Sequence, residues 1–371
     1  MSSPTLSALI ELCLDKKIPF ASYRQPGGKI VTVIQTEGVV EPLAKGVELS
    51  EQRGFIIAPF LSSGNCIPRN IRPDIVIVGD IVEDSVFTQL NAINVFAKEN
   101  NCIDSNNYEA TCEEYFAQVA AIIQNIDNGV FDKAVLSRIK VVTGDHRHKL
   151  VSTFMKMCAT YPYSLAYIFQ VEDQLWLGAT PEILASVQKG VFRALSLAAT
   201  RLNTPENKKL LAWGEKELQE QQYVTDYIEG ILQGCELSSL KMSPRYVRQA
   251  GNILHLCTDF TCDGKEVSGK MSQILNALHP TPAVCGMGTE AAREFLLDLE
   301  KHDRQYYSGY LGPVNIVDGE IALYVNLRCM RVCSKHAHIF VGGGITADSI
   351  AEDEWQETVM KSKTILSVLE E

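Results

Sequence analysis

Residues Ile339–Leu366, IFVGGGITADSIAEDEWQETVMKSKTIL, decide how the rest of the chain is read. The apolar run ending at Val341 has strand character, Gly342, Gly343 and Gly344 read as a turn, and a helix is expected after them. Three successive glycines leave a backbone that a ligand can approach closely. Ser349 is the expected N-cap, and Val359, Ile365, Leu366 and Leu369 form an apolar stripe that carries the helix to the C-terminus. Glu354, Glu357 and Lys361 recur at i, i+3 and i+7, near one helical face. Alone, that pattern also describes a solvated acidic face answered by a lysine. The triple glycine lacks the Lys-Ser/Thr ending of a phosphate-binding loop. Its meaning depends on the segments before it.

The 371 residues are 46% hydrophobic and 21% charged, an ordinary globular composition. No apolar run reaches the roughly 18 residues that a membrane span needs. The opening MSSPTLSALIELCLDKKI is spaced as an amphipathic helix with Pro4 at its first position, not as a signal peptide. A soluble, cytoplasmic protein is expected. The formal net charge of −11 argues against nucleic acid or an anionic membrane as partner. An anionic substrate would need a local cluster of arginine, lysine, metal or backbone N–H. The 11 cysteines are scattered without a CxxC pair. Cys329 and Cys333, on one face of an expected strand, read as buried thiols rather than zinc ligands. Free thiols fit a reducing compartment.

Up to about residue 110, KIVTVIQT, GFIIAPF and DIVIVGD have strand character and no evident chemistry. Thr111 and Glu114 make a capping-box pattern before a helix bearing Phe116, Val119, Ile123 and Ile126, closed by Gly129. In FDKAVLSRIKVV, alternation puts Lys133, Val135 and Ser137 on one face and Ala134, Leu136 and Arg138 on the other. Lys133 is then either a snorkelling edge residue or, if desolvated, a candidate base. A helix over about 149–160 leads into SLAYIFQV, LWLGATPEILASV and VFRALSLAATR, which read as an antiparallel meander. Glu182 opens one of its apolar strands; it is a rim residue there, or, if buried, a proton donor near neutral pH.

Thr204-Pro205-Glu206 predicts the start of a helix running to about Gly234, with Glu217, Glu220, Val224 and Ile228 along one stripe. NILHLCTDF is an expected strand carrying His255, and LNALHPTPAVCGMG a loop. YLGPVNIVDGEIALYVNLRCMRV reads as a hairpin whose second strand holds Tyr324 and Asn326 on the face of Arg328. An arginine in an apolar strand needs an anionic partner. With no repeat and no linker, residues 1–371 are expected to form a single large α+β domain of antiparallel β-sheets flanked by helices.

In order and spacing, FDKAVLSR, ATPEIL, LAATR, EKELQEQ, LHLCT, LHPTPAVCG, DRQYYSGYLGPV, NLRC and VGGGITADSIAEDEWQET resemble the motifs of the chorismate-utilising enzymes. That family includes isochorismate synthase, salicylate synthase and the synthase subunits for anthranilate and aminodeoxychorismate. Residues 111–371 carry the motifs; 1–110 match only loosely, as the variable N-terminal half. The resemblance implies one Mg²⁺ held by Glu220 and Glu357, with Glu217 and Glu354 behind them. That ion would grip the ring carboxylate of chorismate, and Arg328 with backbone N–H near Gly342 the enolpyruvyl carboxylate. Tyr307 matches a pocket-lining aromatic, and Ala199, Thr200 and Lys361 complete the expected substrate contacts.

The resemblance is closest to isochorismate synthase. Lys133 matches the family's water-activating lysine, where ammonia-using members carry glutamine. Glu182 matches the acid that protonates the departing C4 hydroxyl, with His255 close by. Ala198 stands where aminodeoxychorismate synthases carry a nucleophilic lysine. The implied product would feed menaquinone or an aryl siderophore, from a monomer with no amidotransferase partner. Salicylate synthase is the alternative, and an anthranilate or aminodeoxychorismate synthase subunit a further one. Two positions depart from the family pattern: Ala199 for glycine, and Gln221 for a histidine after Glu220.

Overall fold

A computed structural model describes residues 5–44, 46–64, 66–94, 108–250 and 253–369. Two nine-stranded sheets are antiparallel throughout. From edge to edge the first runs Gly286–Met287, Lys133–Thr143, His336–Ile345, Cys329–Val332, Gln174–Thr180, Leu165–Val171, Phe20–Arg24, Ile30–Ile34 and Ile75–Val78. The second runs Lys241–Met242, Ile253–Asp263, Val191–Leu202, Ile183–Gln188, Ile321–Val325, Tyr310–Val314, Gly54–Ala58 and Arg69–Ile71, with Tyr246–Ala250 also pairing on Ile253–Asp263.

Period-2 alternation explains the layering, because each strand sends one set of side chains to each face. The inner faces meet in one aromatic core: Tyr23, Tyr167, Phe169, Trp176 and Phe340 from the first sheet against Phe55, Leu311 and Tyr324 from the second. On the outer face of the first sheet, Leu6–Asp15, Leu150–Thr160 and the end of Ala351–Leu369 cover one half. Cys112–Asp127 and Thr289–Leu299 cover the other. Glu215–Gly234 and Met271–Leu278 cover the second sheet. The architecture is the expected α+β arrangement of antiparallel sheets flanked by helices.

Five local expectations change. The glycines are not a turn: Gly342, Gly343 and Gly344 continue the strand His336–Ile345, paired with Ser137, Leu136 and Val135. The turn comes after them. Ser349 is not the residue next to the helix Ala351–Leu369; it lies two positions upstream, and its buried hydroxyl donates to Glu354 Oε1 at 2.7 Å. At the other terminus the first helix starts at Leu6, with Thr5 as its cap, and Pro4 lies outside the described residues.

The helix expected from Thr204 starts only at Glu215. Thr204 does cap locally, accepting from the Asn207 N–H at 3.3 Å, but the segment then closes a single turn. Gly214 and Glu217 make the working cap. Finally, the meander and the hairpin are each cut between the two sheets. The chain passes from Gln174–Thr180 to Ile183–Gln188 through Pro181, and from Ile321–Val325 to Cys329–Val332 through Asn326 and Arg328.

The two crossings are bonded to each other. Thr180 Oγ1 donates to the Val325 carbonyl at 2.6 Å, Val325 N–H to the Glu182 carbonyl at 2.9 Å, and Ala179 N–H to the Arg328 carbonyl at 3.0 Å. Asn326 is fully buried there, accepting from the Tyr167 hydroxyl and donating to the Tyr306 carbonyl at 2.8 Å. This knot places Glu182 and Arg328 side by side at the mouth between the sheets.

Gln221 anchors the Glu215–Gly234 helix to the second sheet. It is fully buried, its amide donates to Ser196, Thr225 and Thr258 hydroxyls at 3.0, 2.7 and 3.1 Å, and its carbonyl accepts from Arg245 Nε. Removing such a hub strands several buried polar groups. Gln221→Ala is therefore expected to cost about 2–3 kcal/mol, read as a lower urea midpoint at unchanged slope.

Candidate active site

A cavity at the crossing is lined by Glu182, Ala199, Thr200, Glu220, His255, Tyr307, Arg328, Gly342, Glu357 and Lys361, so ten of the expected site residues share one wall. Ala198 and Ser308 line it too. Lys133 stands just behind the wall. It is 1% exposed, at the start of its strand, and its Nζ meets Glu220 Oε1 at 3.0 Å. It is therefore a buried inner-face residue and not a snorkelling edge lysine. Glu217 and Glu354 also lie off the wall.

The glycines set these distances. A Cβ on Gly344 would fall 2.7 Å from Lys133 Cε and 3.0 Å from Glu220 Oε1. One on Gly342 would fall 2.9 Å from both the Leu136 carbonyl and the Tyr307 hydroxyl. On the opposite face, one on Gly343 would come 3.2 Å from Glu354 Oε2. Glycine serves here for close approach, with no left-handed backbone required.

Arg328 and Lys361 are the cations on the cavity wall, and Arg328 is the one without an acid bound to it among the described residues. No hydrogen bond or ion pair joins its guanidinium to a described residue, and a half-buried arginine in that state, lining a cavity, is a receptor for an anion. Its backbone is left-handed, at φ 49°, as it is at Ala199 (φ 59°) and Ser308 (φ 60°). Strained non-glycine backbone gathers where a site dictates side-chain direction. Glu182 is 4% exposed; burial pushes its carboxyl up to about 7, against the pull of Arg328 and Lys133. Near neutral pH it holds a proton for a good part of the time.

Burial drives His255 down to about 3, helped by Arg328, so the imidazole is neutral. Its Nδ1 lies 2.8 Å from the Ala199 carbonyl, which can only accept, so Nδ1 carries the hydrogen. Nε2, buried and without a protein partner, is then a lone-pair acceptor. Burial raises the Tyr307 phenol to about 12, so it stays a neutral hydroxyl, stacked on Phe340 at 5.4 Å.

Glu220 and Glu357 line the cavity beside the glycines and Glu354 lies near them off its wall, each met by one lysine. Lys133 meets Glu220 at 3.0 Å, Lys361 meets Glu357 at 2.5 Å, and Lys216 meets Glu354 at 3.3 Å. Lys361 also donates to the Gly342 carbonyl at 2.8 Å. Burial, then the nearby Glu357, push the Glu354 carboxyl up, with Glu220 adding to the crowding. Burial also acts to raise Glu357, but Lys361 and Arg328 hold it below the usual range. The pair Glu220 and Glu357 offers oxygen donors only, which suits a hard divalent cation. Glu217 is engaged elsewhere, by Arg201 at 2.6 Å and by the Gly214 N–H at 3.0 Å.

Sequence reasoning missed the buried pair Arg304–Glu300. Arg304 binds both Glu300 oxygens, at 2.6 and 2.8 Å, and the carbonyls of Val135 and Val284 at 2.6 and 2.8 Å. It clamps the Lys133 strand to the turn that presents Tyr307. The arginine sits in the quoted DRQYYSG motif, but nothing in the spacing marks its carboxylate.

The sequence pattern of the chorismate binding enzymes matches residues 78–370. The chain belongs to that family. Isochorismate synthase EntC of Escherichia coli is 30% identical over 294 residues, 76% of this chain and 71% of that protein. The vibriobactin-specific isochorismate synthase of Vibrio cholerae is 27% identical over 263 residues, 69% of this chain and 66% of that one. Among solved structures, MenF, the menaquinone-specific isochorismate synthase of Escherichia coli, superposes with a TM-score of 0.73 over 95% of this chain and 88% of its own. At 18% identity that likeness establishes the shared fold.

Glu182 also leaves a mark on stability. Folded, it keeps its proton to about pH 7, whereas a free glutamate loses it near 4.5. Between those values the folded state binds more protons, so Glu182 lowers stability progressively as pH rises and keeps it lowered above. Glu182→Gln is expected to be more stable than the parent by about 1–3 kcal/mol near pH 8.5, with the difference fading to nothing below about pH 4; urea unfolding at both pH values reads it.

Proposed function

We propose that this family member is an isochorismate synthase. It adds water at ring C2 of chorismate, shifts the double bonds, and releases the C4 hydroxyl as water, a reversible net isomerisation. The observation that carries the reading is one cavity that holds Arg328, half-buried and without an ion pair to a described residue, together with Glu182, whose carboxyl burial raises to about 7. Chorismate is a dianion, and one carboxylate placed on Arg328, near the Gly342 backbone, would set the ring against Glu182.

Each side chain then has a definite task. Glu182 gives its proton to the departing hydroxyl, and neutral His255 Nε2 accepts a hydrogen bond from that hydroxyl and orients it. Lys133 takes a proton from the attacking water. Base and acid act at opposite ends of the reacting system, as a paired proton transfer requires. Tyr307 and Thr200 line the ring, and the close glycine backbone leaves room for it. A divalent ion, Mg²⁺ in this reading, would be held by Glu220 and Glu357, would grip the ring carboxylate, and would draw Glu220 off Lys133.

Lys133 and Ala198 favour water over ammonia or a covalent lysine, so no amidotransferase partner is needed. The test is to incubate the purified chain with chorismate and Mg²⁺, without ammonia, and separate the products. Isochorismate without pyruvate is the expected result. Salicylate with pyruvate would make the chain a salicylate synthase, and product only on adding ammonia or a partner would overturn the role of Lys133. Lys133→Ala is expected to lose at least about a thousandfold in turnover, within the range of general base catalysis, while still binding chorismate in a direct titration. Turnover should also fall as pH rises past about 7, where Glu182 loses its proton.

A further inference from the structure

At the far end of the glycine strand lies a second group of donors. Cys333, His336 and His338 are 1%, 4% and 5% exposed, and one ligand atom from each lies within 4.8 Å of the others. Among the described residues no other such group of histidine, cysteine and carboxylate donors forms. We propose that these three side chains form a binding site for a thiophilic transition ion, Zn²⁺ by the chemistry of the donors. One thiolate and two imidazoles are a borderline-soft set, unlike the oxygen-only cradle beside Gly343 and Gly344.

The backbone fixes the arrangement. Cys333 N–H donates to the His336 carbonyl at 2.9 Å, closing a tight hairpin over Ser334 and Lys335. His336 and His338 are two apart on one strand, so both rings face the same way, 4.6 Å between centroids. Cross-strand register places Cys333 on that face as well. Tetrahedral bonds to sulfur and nitrogen hold ligand atoms roughly 3.3–3.8 Å apart, so closing on an ion takes only small side-chain rotations.

The neighbouring charges do not forbid a cation. Arg331 pairs opposite His338, and Asp173 answers it at 3.5 Å. The hairpin tip beside the site, Ser334 and Lys335, is exposed. An ion there would staple the hairpin that joins the Arg328 crossing to the glycine strand. It would act at a distance from the cavity, as a positioning element.

Cobalt distinguishes this site from the carboxylate cradle, because only a thiolate ligand gives an intense cobalt charge-transfer band in the near ultraviolet. Chelator-stripped full-length protein titrated with Co²⁺ is expected to develop that band to one equivalent and to lose it on adding Zn²⁺. Cys333→Ser should abolish the band, His338→Gln should weaken Co²⁺ at least tenfold, and Glu357→Gln, which alters only the carboxylate cradle, should leave it intact. No band in the parent protein, or a band that survives in Cys333→Ser, would overturn the site. If Cys333→Ser fails to fold, the parent titration and His338→Gln still decide.

Discussion

Everything around the cavity depends on the missing side chains at 342–344. A strand normally keeps its neighbours at a distance set by its own Cβ atoms. Here the Lys133 aliphatic stem, the Glu220 carboxylate and the Tyr307 hydroxyl come within 3 Å of positions that Cβ atoms would fill. That approach brings a strand of the first sheet, a helix of the second and the C-terminal helix to one point. The ladder with Ser137, Leu136 and Val135 keeps the glycines straight, so the loss of side chains costs no regularity.

The second element is the pair of crossings. A polypeptide that changes sheet must leave both hydrogen-bond ladders for a residue or two, and unpaired backbone groups there are costly when buried. Thr180, Asn326 and the Val325 and Arg328 backbones pair with one another across the gap. The site's acid and its arginine occupy the freed positions. The burial of Glu182 follows from the crossing, and with it the carboxyl raised towards neutral pH.

The sequence made the elements legible because their signals are local. The capping box at Thr111, the Lys133 alternation and the apolar strand of His255 all appear where periodicity placed them. Resemblance identified the cavity residues, and ten of them meet on one wall. What was not legible depends on partners distant in sequence. Alternation runs unbroken through Thr180–Ile183 and Val325–Cys329, so it could not show that the chain changes sheet there. Nor could three glycines announce a strand, since the reason for them lies in Lys133 and Glu220. Thr204 carried a true capping signal, but Trp213, buried and stacked under Arg201, delays the helix to Glu215.

The N-terminal strands give this architecture one further property. Phe20–Arg24 pairs with Leu165–Val171, and Gly54–Ala58 with Tyr310–Val314, so this region closes the open side of both sheets. The family pattern begins only at residue 78. A chain cut down to that match would keep every group of the cavity and bare two long interior strands as sticky margins. Chemistry and solubility are thus carried by different stretches of one molecule, and the stretch with no chemical signature shields the other from its own copies.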